Sequence, residues 1–176
     1  KDVILKLLGI MTVKGGTNKI VEYFGEGVAS ISCTGKGTIT NMGAELGATT
    51  SVFPYDENMK RYLKATNRAD LAALADKYRH LVVADDEVAK NPSKFYDEVI
   101  EIDLSTLEPH VVGPHTPDLA REISALGAET KEKGYSNSLT AALIGSCTNS
   151  SYEDISRAAD VAAQALAHGI KSKSQL

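Results

Sequence analysis

The chain has 176 residues, 43% of them apolar, with a formal net charge of −4 at pH 7. That apolar content suits one ordinary domain or two small ones and speaks against intrinsic disorder. Lysine and arginine are scattered, no basic run is interleaved with aromatics, and no apolar run approaches the ~18 residues of a membrane span, so neither nucleic acid nor membrane is an expected partner.

The only cysteines, Cys33 and Cys147, make neither a disulfide framework nor a zinc pattern, which points to a reducing compartment. The first residues lack the basic flank and cleavage site of a secretory leader.

In chain order, Asp2 is placed to cap a helix through Met11, with Val3, Ile4, Leu7, Leu8 and Met11 on its apolar face. Lys14-Gly15-Gly16-Thr17 lacks the glycine spacing and terminal lysine of a phosphate loop and reads as a turn. Ile20 to Phe24, rich in branched and aromatic residues, predicts a strand closed by Gly25-Glu26-Gly27. Ala29 to Ala48, with its small residues and glycines, predicts tightly packed helical turns. If Ile39 to Leu46 is helical, Asn41 and Glu45 lie four apart on one face, either a solvated face or a functional pair. Cys33 reads as packed, with an oxidation-sensitive surface thiol as the alternative.

Asp56 to Ala65 and Ala69 to Leu81 predict two helices separated by Thr66-Asn67-Arg68, anchored by Tyr62 and Leu63 and by Leu71, Leu74, Ala75 and Tyr78. Asp85-Asp86-Glu87 reads as a solvated loop in preference to a metal cluster. Asp97 to Leu104, alternating as Val99-Ile100-Glu101-Ile102-Asp103-Leu104, predicts a strand. Prolines and glycines then break regular structure, which places a domain boundary between residues 105 and 117, dividing the chain into 1–107 and 108–176. His110 and His115 sit in this linker with no third ligand nearby, so structural or exposed roles are expected. Ala120 to Leu126 predicts a helix, and Glu129 to Ser138 a polar, turn-rich stretch.

The last region organises the rest. Ala141 to Ile144 predicts a short strand, followed by a polar turn with Cys147 and a helix opened by Ser150 and Glu153 as a capping box. Ile155, Ala158, Ala159, Ala162 and Leu166 fall on one face of that helix, Gly169 is placed to end it, and His168 sits at its end. Backbone N–H groups at a helix start favour a thiolate. The turn alone leaves a buried hydrophobe, a nucleophile and a metal ligand all open. Alternating strands and helices predict an α/β fold, helices packed on short, mostly parallel sheets, with no internal repeat.

The wording of two stretches narrows the choice. Gly145-Ser146-Cys147-Thr148-Asn149-Ser150-Ser151 resembles the cysteine signature of the aconitase family, and Ala165 to Gln175 is similar to the segment just downstream of that signature in the family. Asn41 to Tyr55, Asn-Met-Gly-Ala-Glu-Leu-Gly-Ala-Thr-Thr-Ser-Val-Phe-Pro-Tyr, resembles a second family stretch, in the family's order, and its Asn41 to Glu45 resembles the mitochondrial type more closely than the iron-regulatory one.

The resemblance implies most of the second domain and the start of the third in a four-domain protein that interconverts citrate and isocitrate through cis-aconitate in the tricarboxylic acid cycle of the mitochondrial matrix. It implies that Cys147 is one of three thiolate ligands of a [4Fe–4S] cluster, that Asn41 lies close to the cluster, and that Glu45 pairs with a histidine outside this chain and helps handle the substrate hydroxyl. The family's Asp-Ser-His segment, its Cys-Gly-Pro-Cys pair, its serine base and its substrate-binding arginines are not in these residues. The 176 residues alone are therefore expected to be inactive and to hold no stable cluster. Isopropylmalate isomerase and homoaconitase share the cysteine turn, and the iron-regulatory relative binds RNA without its cluster; these are the alternatives, with a stand-alone interaction module as a third.

Overall fold

The computed structural model describes residues 1–176. Helix α1 (Asp2–Met11) has Lys1 as its N-cap and no side-chain cap. Asp2 is therefore not the cap: its Oδ1 accepts the backbone N–H of His110 at 2.9 Å, tying the helix start to a distant segment. The helical spacing of apolar residues buries Ile4, Leu5, Leu7 and Leu8. Ile4, Leu7 and Leu8 meet Ile39 and Leu46 in the core, where each such side chain contributes about 1.5–3 kcal/mol.

Strands β1 (Ile20–Glu22) and β2 (Thr50–Val52) pair in parallel, with Val21 opposite Ser51. The first is shorter than the predicted Ile20 to Phe24, although the Tyr23 N–H still reaches Val52 O at 3.0 Å. Strand periodicity sends Val21, Tyr23, Ser51 and Phe53 to one face, where Tyr23 and Phe53 stack at 4.5 Å beside the core. Burial pushes the Tyr23 phenol up to about 12. The crossover between the strands holds a 3-10 segment (Glu26–Ser30) and helix α2 (Cys33–Asn41), whose cap Ser32 accepts the Gly35 N–H.

Helices α3 (Glu57–Ala65) and α4 (Ala69–Lys77) are separated by the three predicted residues. Asp56 caps the first, its Oδ1 accepting the Met59 N–H at 3.0 Å, and α4 gives way to a 3-10 turn (Arg79–Leu81). The predicted anchors Tyr62, Leu71, Leu74 and Tyr78 are exposed, and Ala72 is the buried residue of the pair. Helical spacing fixed that an apolar stripe exists but not which side of it meets the close α3–α4 contact, where a small side chain fits best. Asp85-Asp86-Glu87 is exposed but not a loop, since it opens helix α5 (Asp86–Lys90) with Asp85 as N-cap.

Residues 97–104 do not form a strand. Their burial alternates as predicted, with Ile100, Ile102 and Leu104 turned inward, yet no neighbouring strand pairs with them. Strand β3 (His110–Val112) pairs with β4 (Ala120–Glu122), and β3 packs on α1. The predicted helix from Ala120 begins instead with β4, and helix α6 (Ile123–Lys133) runs into the stretch read as turn-rich.

Two compact units result, Lys1–Arg121 and Glu122–Leu176. Residues 108–121 pack with the first because Asp2 holds His110 and Asp118 Oδ1 accepts the Val13 N–H at 2.7 Å. The second unit contains α6 and helix α7 (Tyr152–Ala167) and has no fully buried residue. Ala141 to Ile144 makes no strand, only a single bridge from Ala141 to Gln175. Tyr152 is 92% and Leu143 87% exposed, so within this unit nothing covers its main apolar side chains.

Candidate active site

Helix α2 ends at Asn41 and passes into a 3-10 turn (Met42–Ala44), with Glu45 as its cap. The predicted helical path from Ile39 to Leu46 is thus continuous in direction but tightens after Asn41, as the Glu45 and Leu46 N–H bonds to Met42 O and Gly43 O show. Asn41 and Glu45 flank this turn and are exposed, while Ile39 and Leu46 beside them are buried in the core. The turn therefore presents an amide and a carboxylate from a fixed base, a combination able to bind and to hold a proton at a carboxylate oxygen.

The base is fixed by a feature that sequence reasoning missed. Lys36 on α2 is 2% exposed, and its ammonium forms an ion pair with Asp56, the cap of α3. It also lies 5.8 Å from the centre of the Phe53 ring. The partners are twenty residues apart, so no local spacing announces them. The one available signal was an isolated lysine among small residues in a packed helix.

The cysteine turn is preformed in a different way from that expected. Ser146 Oγ accepts the N–H groups of Thr148 and Asn149 at 3.2 and 3.0 Å, so those donors are occupied and not free beside Cys147. Ser150 does not cap α7. Its Oγ accepts the Ser146 N–H and donates to Ser146 O, closing the turn. The capping box lies one residue on, between Ser151 and Asp154, and Gly169 ends the helix at φ +67° with the Ile170 N–H on Ala165 O. Cys147 is exposed on this clamped turn, its Sγ 3.6 Å from Thr148 Oγ1. Cys33, by contrast, is half-buried, and burial pushes its thiol up, with the Lys36 ammonium partly opposing.

No three His, Cys, Asp or Glu side chains converge closely enough to hold a metal ion. Cys147 presents its thiol to solvent on a turn closed by Ser146 and Ser150. His110 is buried, its Nδ1 2.7 Å from Glu108 O, and His115 and His168 are exposed. Asn41 and Glu45 belong to one turn of the first unit, and Cys147 to the second unit.

The sequence model of the aconitase family (aconitate hydratase) matches residues 1–176. The chain is 60% identical over 174 residues to aconitate hydratase, mitochondrial, of Gracilaria gracilis, covering 99% of this chain and 22% of that protein. It is 60% identical to the probable aconitate hydratase, mitochondrial, of Caenorhabditis elegans and 55% identical to the Saccharomyces cerevisiae aconitate hydratase, mitochondrial, in each case over 98% of this chain and 22% of the relative. The chain thus spans about a fifth of the length of the curated relatives it matches.

Proposed function

The chain belongs to the aconitase family, and from that premise we propose that it is a segment of a mitochondrial-matrix aconitate hydratase, a hydro-lyase that isomerises citrate to isocitrate by way of cis-aconitate. The observation that carries this reading is 60% identity along 99% of the chain to a protein of that name. The isopropylmalate, homoaconitate and RNA-binding alternatives have no comparable observation in their favour.

When bound, a [4Fe–4S] cluster supplies a Lewis acid for a substrate hydroxyl. Within this proposal Cys147 gives one thiolate, and its clamped turn keeps the sulfur in place with little loss of freedom on ligation. Asn41 offers amide groups to the cluster surroundings. Glu45 orients a histidine from another part of the protein, whose proton it helps hold near the departing hydroxyl. The bulk of the second family domain would lie in 1–107 and the opening of the third in 108–176, with the remaining domains as the partners that cover the exposed faces of α4 and α7.

The test compares the longer chain with residues 1–176 alone after anaerobic reconstitution. The longer chain should show cluster absorbance and citrate turnover, and the segment neither. A fully occupied cluster on the segment would sink the division of ligands, and a cluster-loaded longer chain indifferent to citrate would sink the substrate assignment.

A further inference from the structure

The turn between Asn41 and Glu45 is seated on the sheet through its glycine. Gly43 is buried, and a Cβ built on it would stand 2.4 Å from Ser51 Oγ and 3.5 Å from Ser51 Cβ on β2. Its φ is not positive, so its backbone would accept alanine; the obstacle is the space taken by Ser51. Ser51 Oγ is buried and has no hydrogen-bond partner, so no bond fixes it, and only the space around it decides whether it can turn away from a Cβ at position 43. The Gly43 carbonyl accepts the N–H groups of Leu46 at 3.2 Å and Ala48 at 3.1 Å, which ties the contact to the residues around Glu45.

We propose that Gly43 is a positioning residue for Asn41 and Glu45: its missing side chain lets their turn lie flush on Ser51, and a side chain there, pressed against the buried Ser51 hydroxyl, lifts both groups together. This rests on the proposed aconitate hydratase reading for its catalytic consequence, while the contact itself is independent of it. A rise of even an ångström at a catalytic carboxylate costs on the order of a hundredfold in rate.

The test is a double-mutant cycle in the longer, cluster-loaded chain, with Gly43→Ala introduced into the wild type and into the Ser51→Ala background. In the wild type kcat should fall by roughly tenfold to a hundredfold, with a smaller change in KM and a displaced pH profile of kcat; in the Ser51→Ala background the loss should shrink to about threefold or less. Amide exchange at Leu46 and Ala48 should rise with Gly43→Ala and recover in the double variant. A role in stability alone would reduce the amount of active enzyme and leave KM and the pH profile in place. Equal losses in both backgrounds would overturn the contact as the cause, and no loss in either would mean that the serine hydroxyl simply swings aside. If the wild-type chain fails to turn over citrate, the functional reading falls, and the exchange data still decide whether Gly43 sets the turn.

Discussion

Replacing Asp56 with asparagine should open α2 and α3 more than any other single charge change in the chain. Asparagine keeps an oxygen for the Met59 N–H, so the helix cap survives and the lost quantity is the charge facing Lys36. That ammonium is 2% exposed, and removing one partner of a buried pair costs about 3–5 kcal/mol because the other charge stays buried without compensation. Replacing Lys36 with methionine should be mild, since methionine fills the buried path of the lysine stem without its charge and Asp56 keeps some contact with water. The double variant should return close to wild type. Site-resolved hydrogen exchange in the longer chain reads this directly, with α2 and α3 amides of Asp56→Asn exchanging roughly a hundredfold or more faster. Equal, additive effects of the two single variants would show that the pair is not coupled.

Cys147→Ala should bring cluster absorbance and citrate turnover of the longer chain to background, and Cys33→Ala should leave both near the wild-type level. The difference comes from place. Cys147 is exposed on a turn clamped by Ser146 and Ser150, whereas Cys33 is half-buried at the start of α2, where burial disfavours its thiolate. An active, cluster-bearing Cys147→Ala protein would remove the residue from the ligand set. Loss of the cluster in Cys33→Ala, with α2 still protected from exchange, would exchange the two roles.

Local signals were legible wherever one element carried its own punctuation. The end of α1, the gap between α3 and α4, and the glycine that ends α7 could be read from breakers and helical spacing, whereas the cap of α1 could not, because Asp2 is drawn to the His110 N–H. Strands were harder because a strand needs a partner as well as a pattern. Residues 99–104 alternate correctly and pair with nothing, and residues 141–144 reach only one bridge, while β3 and β4 arise where prolines hid them. The cap of α7 was misplaced by one residue because successive serines offer equal local chemistry, and only the turn around Cys147 decides which serine closes it.

The candidate site was legible through wording more than physics. Spacing could show only that Asn41 and Glu45 would share a helix face, a pattern that a solvated face also gives, and not that they flank a tighter turn; the resemblance of that stretch to a known family gave it meaning. What the sequence hid was the support beneath the turn, since Lys36 with Asp56 and Gly43 with Ser51 are contacts between elements. Such contacts arise from the fold and cannot be read from periodicity within one helix.

The most direct test is the intact mass of the native polypeptide that carries these residues. The segment itself is 18.8 kDa, and its 22% share of the matched relatives predicts a native chain about four to five times heavier. A native mass equal to that of the segment would contradict the hydratase reading, because a chain with one clustered cysteine turn has no source for the remaining ligands.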